Sequence, residues 1–151
     1  MSENPTFIPQ IVVSNAAAAI DFYKAAFGAV ETGRHLAPNS NKVMHAALKI
    51  NGGVLMLHDD FSDSMGGKNQ TPEALGGSPV VFSLEVPDAD AAFAKALAAG
   101  AQVKFPLKDQ FWGARYGQVT DPFGHYWSIS QPLGTPTEAE MEEGAKAAFA
   151  D

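Results

Sequence analysis

One plan is written twice in this chain, and that repeat limits its possible folds more than any other feature. V-V-S-N-A-A-A-A-I-D-F-Y at 12–23 lines up with E-V-P-D-A-D-A-A-F-A-K-A at 85–96. Asn15 falls on Asp88 and Ile20 on Phe93, and a glycine, Gly28 or Gly100, ends each helical stretch. Asn and Asp are good helix N-caps, and Gly is a good C-cap. Each half reads as strand, helix and then three strands. A unit repeated at this length predicts two similar supersecondary modules sharing one core. The division expected is 1–60 for the first βαβββ module, 61–77 for a linker loop, 78–131 for the second module and 132–151 for a helical tail.

The elements follow from periodicity. Phe7–Val13 reads as a first strand, with Pro9 marking an edge or a strand start. Ala16, Ala19, Ile20, Tyr23 and Phe27 share one helical face. Val30–Leu36 is a strand and 37–42 a turn. Val43–Ile50 alternates, which places Met44, Ala46, Leu48 and Ile50 on one side and His45, Ala47 and Lys49 on the other. Asn51-Gly52-Gly53 is a hairpin turn and Val54–Asp59 the returning strand. The stretch 60–77 is rich in Gly, Ser, Asp and Asn without periodicity, so it reads as a loop. In the second half, 79–86 is a strand, Ala89–Ala99 a helix and 101–105 a strand. A final hairpin then runs through Ala114–Thr120 and 125–130, turning at Asp121-Pro122-Phe123-Gly124. In the tail, Thr137 and Glu140 form a capping box. Met141, Ala145, Ala148 and Phe149 lie on one helical face, a stripe too thin to stand alone.

Composition excludes several classes. The chain has 151 residues and a formal net charge of −7, with no basic patch to meet phosphates, so nucleic acid is not an expected partner. No apolar run approaches a membrane span of about 20 residues. With no cysteine there is no disulfide, thiol nucleophile or thiolate metal site. That fits a reducing cytoplasm, and no signal peptide is expected.

The segments D-Q-F-W-G-A-R-Y-G at 109–117 and D-P-F-G-H-Y-W-S-I at 121–129 concentrate the large amphipathic side chains. With A-x-x-A-I-D-F-Y at Ala16–Tyr23 and V-x-D-x-D-A from Val86, they resemble the vicinal oxygen chelate superfamily. That is the glyoxalase, bleomycin-resistance and dioxygenase fold; the two segments resemble its PhnB-like branch in particular. The resemblance implies an α+β fold, in which two βαβββ modules form an open curved sheet, a half-barrel with a concave cleft. It also implies a homodimer.

Metal-dependent members of that superfamily carry four His or Glu ligands, one on each of four strands. Counting from the shared motifs, those positions are Ile8, Met56, Val81 and Ser128 here. Three are apolar and Ser128 is a weak neutral oxygen, so no metal cofactor is expected at the standard site. The resemblance then points to the metal-free members, which bind organic ligands in the cleft.

The residues expected to line that cleft are Gln10, His45, Met56, His58, Trp112, Arg115 and Ser128. His45 and His58 stand on neighbouring strands; they are either acid–base groups or partly exposed polar residues at strand ends. Arg115 beside Trp112 and Tyr116 either clamps a carboxylate or phosphate, or ties the hairpin to Asp121 or Asp109. Trp127, alternating with Ser128, is expected under a helix, and His125 is expected to cap the carbonyls of its own turn. The primary reading is a cytoplasmic homodimer binding a small organic molecule without metal. The alternative is a glyoxalase-type lyase or isomerase with a divalent metal at a non-standard site around His45, His58 and Asp59. A third is a structural dimer with an idle cleft.

Overall fold

The computed structural model describes residues 7–150. Helix α1, Ala16–Phe27, starts where the Asn15 side chain accepts the Ala18 N–H, and ends at Gly28 with φ 68°. That left-handed conformation suits glycine. Helix α4, Ala89–Ala99, repeats the design, with Asp88 accepting the Ala91 N–H. Both helices bury one face: Ala16, Ala19, Ile20, Phe22, Tyr23 and Ala26 in the first, Ala89, Phe93 and Ala96 in the second.

The strands of the first module are β1 (Gln10–Val13), β2 (Val30–Leu36), β3 (Val43–Ile50) and β4 (Gly53–Asp59). Those of the second are β5 (Val81–Glu85), β6 (Gln102–Gln110), β7 (Ala114–Thr120) and β8 (Tyr126–Pro132). They form two four-stranded sheets of the same order, β1-β4-β3-β2 and β5-β8-β7-β6. In each sheet the first and last strands of the module pair in parallel, while the others pair antiparallel. The fold is therefore α+β with two open mixed sheets, and the repeat holds at the level of topology.

Alternation divides each sheet into a core face and an open face. Ile11, Val13, Leu55, Leu57, Trp127 and Ile129 pack under α1 and α4. The opposite, concave face carries Gln10, Met56 and His58 in the first module and Tyr116, Gln118 and Ser128 in the second. At Asn51-Gly52, φ values of 50° and 84° make the tight hairpin that the dipeptide predicts.

The modules are joined through a buried carboxylate. Asp121 Oδ2 accepts the Tyr23 hydroxyl at 2.6 Å and the Trp127 indole N–H at 2.9 Å. Asp121 Oδ1 accepts the Phe123 and His125 N–H groups at 2.9 and 3.0 Å. Burial, and then the Asp121 charge, push the Tyr23 phenol well above its ordinary range, so it stays a donor. His125 does not cap its own turn. Its Nε2 lies 2.9 Å from the Val12 carbonyl, a second tie between the modules.

The structure differs from expectation in three further places. The loop expected over 60–77 contains two one-turn helices, α2 (Ser62–Met65) and α3 (Pro72–Leu75), the latter capped by Thr71. Thr71 and Pro72 are buried, and Pro72 sits where a side chain at Gly124 would collide with it. Strand β6 runs on to Gln110 past Pro106, with register shifts on both sides of Phe105. Proline is tolerated there because β6 is an edge strand with an irregular ladder. Third, β3 bulges: His35 pairs with His45 but Leu36 pairs with Val43, so Met44 is an extra residue. Val43 takes the core position, and Met44, expected to share the side of Ala46, Leu48 and Ile50, is 54% exposed.

The tail forms helix α5, Glu138–Ala148, with the expected Thr137/Glu140 capping box. It rests on the body at Gly144, where an added Cβ would overlap the Phe111 ring. Met141 and Phe149 remain exposed. Among the described residues no helix is long and apolar enough to cross a membrane.

Candidate functional site

The bulge in β3 and the docked helix α2 create a cavity on the concave face of the first sheet. Its volume is about 790 Å³, within the range of small-molecule sites. Its apolar walls are Ala37, Pro38, Met44, Phe61 and Met65. Gln10, Ser40, Lys42, His58, Asp63 and Ser64 supply the polar groups. A second cavity of about 710 Å³ runs between the free edges of β1 and β5, walled by Phe82, Leu84 and Trp127 among others. Its polar lining is Gln10, Gln70, Ser78, Ser83 and His125, and His125 is already committed to joining the modules. The first cavity is the candidate site because ionisable groups, Lys42, His58 and Asp63, border an apolar space of ligand size there.

His58 is held in one orientation. Its Nδ1 lies 2.7 Å from the Asp59 carbonyl oxygen. A carbonyl has no proton to give, so Nδ1 carries the hydrogen, and in the neutral ring Nε2 presents its lone pair. The adjoining Asp59 carboxylate is fixed too. It accepts the Ala16 N–H at 2.8 Å and the Val43 N–H at 2.7 Å, on the core side of the sheet. Lys42 Nζ lies 3.0 Å from the Asp60 carbonyl, 3.5 Å from an Asp63 oxygen and 5.3 Å from the centre of the Phe61 ring. It thereby links β3 to the helix that closes the cavity.

The expected cleft residues are not gathered at one place. Gln10 and His58 line the same cavity. Met56 stands beside Gln10 in register on the same face but does not line the cavity. His45 stands beside its cross-strand partner His35, with ring centroids 6.4 Å apart, and does not line the cavity. Trp112 packs edge-on against Tyr116 in the second module. Ser128 is on the concave face but fully buried, and Ser128 Oγ and Gln118 Oε1 have no partner among the described residues.

Arg115 is not in the cleft. It shares a strand face with Gly117 and Val119, which pack toward α4, so it emerges on the helix side. There it grips Asp90 of α4 through Nε and Nη2 at 2.9–3.2 Å and Asp109 through Nη1 at 3.0 Å. Hydrogen bonding to Asp90, then to Asp109, holds its guanidinium pKa above the usual value. Asp121, the other partner expected for it, is saturated by its own four donors.

The four positions that the resemblance marks for metal ligands, Ile8, Met56, Val81 and Ser128, do not fit a divalent cation. Gln10 pairs with Met56 and Ser83 with Ser128, which puts Ile8 and Val81 at equivalent places two residues earlier. Two aliphatic side chains, a thioether and one hydroxyl offer no hard or borderline donor set. Nor do His45, His58 and Asp59 assemble one. Asp59 points into the core, and no group of three His, Cys, Asp or Glu occurs among the described residues.

Sequence reasoning missed Met44, Phe61 and Met65. Phe61 and Met65 carried a signal, as apolar residues four apart in an otherwise polar stretch. Met44 carried none, because only the bulge turns it outward.

A family model described as the Glyoxalase/Bleomycin resistance protein/Dioxygenase superfamily matches residues 7–129. An uncharacterized protein of Mycobacterium tuberculosis is 53% identical over 139 residues, covering 92% of this chain and 79% of that protein. The X-ray structure of an Arabidopsis thaliana gene product superposes with a TM-score of 0.65 at 34% identity, covering 83% of this chain and 98% of the other. A PhnB protein from Bacillus cereus shares the fold with a TM-score of 0.64 at 18% identity, over 84% of this chain and 99% of that one.

Proposed function

The chain belongs to the Glyoxalase/Bleomycin resistance protein/Dioxygenase superfamily, and from that premise we propose that it binds a small organic molecule, without metal, in the methionine-walled cavity of its first module. The observation that carries this reading is the cavity itself: about 790 Å³ bounded by Met44, Phe61 and Met65, with Gln10 and His58 lining it. Methionine walls adapt to irregular apolar ligands. Met65 is 82% exposed, an arrangement with no value to the core but with a use at a binding surface. The donor chemistry at Ile8, Met56, Val81 and Ser128 supports the metal-free part of the reading. The same reading takes the protein as a cytoplasmic homodimer. The apolar side chains left open at Trp112, Leu133 and Phe149 support a second copy packing at that end.

The test is a thermal-shift screen of the whole chain against flat amphipathic aromatic compounds. A ligand at a hundredfold excess over its Kd stabilises the native state by about 2.7 kcal/mol. For a chain of this size that raises Tm by roughly 5–10 °C. The shift should disappear in Met65→Glu and persist in Arg115→Ala, which changes the opposite face. Silence across the library, or a shift that survives both Met44→Glu and Met65→Glu, would overturn the reading.

A further inference from the structure

We infer that the ligand of this cavity is recognised through a weakly acidic O–H or ring N–H that donates to His58 Nε2, carried on a flat apolar body lying against Met44, Phe61 and Met65. This rests on the proposed binding function and names the chemical class that the same site selects.

Asp59 ends β4 with its carboxylate fixed by two N–H groups, Ala16 at the start of α1 and Val43 at the bulge. Its carbonyl is therefore a fixed acceptor, and His58 Nδ1 stands 2.7 Å from it. A neutral histidine so placed has one tautomer, in which the hydrogen on Nδ1 is spent on the backbone and the lone pair is on Nε2. His58 lines the cavity, and no group among the described residues bonds Nε2. A cavity that offers an acceptor of this strength asks for a donor.

The surrounding charges narrow the class further. A carboxylate would set its negative charge against the Nε2 lone pair. The one cation lining the cavity, Lys42, is already shared between the Asp60 carbonyl and Asp63. An ammonium would meet mostly thioether, proline and phenyl surface, and would lose more hydration than Asp63 at the rim returns. A neutral donor on an apolar frame avoids both costs. Met44, Met65 and Phe61 give polarizable contacts that suit a flat ring system. The volume accommodates a bicyclic or tricyclic body.

The experiment titrates the full-length protein with three probes of one shape: 2-naphthol, 2-methoxynaphthalene and 2-naphthoate. Affinities are read by calorimetry, and site occupancy by methyl NMR of the methionines. The naphthol should bind about tenfold more tightly than its methyl ether, the difference made by one hydrogen bond to a fixed acceptor. The naphthoate should be weaker than the naphthol. In His58→Phe, which keeps a flat ring but has no acceptor, the naphthol-to-ether ratio should fall to about one. The wild-type ratio stands as a test even if that variant misfolds. Equal binding of naphthol and ether in wild type, with Met44 and Met65 methyls perturbed, would overturn the inference while leaving the cavity as the binding site. Tightest binding by the naphthoate would overturn it as well. No binding by any probe at millimolar concentration would count against both the inference and the binding function.

Discussion

In the first module, helix α1 is entered beneath Asp59, whose carboxylate accepts the Ala16 and Val43 N–H groups. In the second, the same place at the start of α4 is held by Gln131, whose amide oxygen accepts the Ala89 N–H alone, at 2.9 Å. The two solutions are topologically equivalent and chemically unequal. The charged one also fixes the β3 bulge, and the bulge turns Met44 toward the cavity. The concave faces diverge to match. The first carries Gln10, Met44 and His58 around an apolar cavity, whereas the second carries Tyr116, Gln118 and Ser128, with Gln118 Nε2 donating to the Tyr116 hydroxyl. A repeat thus preserves the skeleton that buries a core and leaves the open face free to specialise. The specialised face here belongs to the first module.

The largest effect should come from the joint that holds the halves together. Asp121→Ala removes the acceptor of the Tyr23, Trp127, Phe123 and His125 groups and strands them in the core. Breaking such a buried charged network costs about 3–5 kcal/mol, to be read from denaturant midpoints at unchanged slope. A cost below about 1 kcal/mol would mean that the modules do not depend on this carboxylate.

The next test separates the two helix entries. Asp59→Ala should cost about 3 kcal/mol, because two hydrogen bonds to a charged acceptor are lost in a buried site. Gln131→Ala should cost about 1 kcal/mol, the value of one neutral bond. Equal costs would erase the asymmetry between the modules. Asp59→Ala should also weaken binding in the cavity, since the bulge and the His58 acceptor both depend on Asp59 being fixed.

Most of the skeleton was legible in the sequence. Asn15 and Asp88 cap the helices, Gly28 and Gly100 end them, and the alternation in β4 and β8 assigns the core face correctly. These are local rules, satisfied within a few residues. The site was less legible because it depends on relations that no local rule encodes. Arg115 looked like a cleft residue beside Trp112, but its place in β7 turns it toward α4 and Asp90. Strict alternation placed Met44 on the side of Ala46, Leu48 and Ile50, which one inserted residue reverses. The closing helix α2 comes from a stretch whose composition reads as loop. Its Phe61 and Met65 gain meaning only once Lys42 and the strand ends lie beneath them.

The most direct test of the central claim, that a small organic molecule binds in the first module, is a methyl-selective NMR titration of the protein labelled at its methionines with carbon-13. Met44 and Met65 line the proposed site, and Met141 lies on the tail helix as an internal control. The account predicts saturable shifts of the Met44 and Met65 methyls with a bound aromatic ligand, while Met141 stays in place. Shifts confined to Met141, or a ligand that stabilises the protein without moving either cavity methionine, would contradict it.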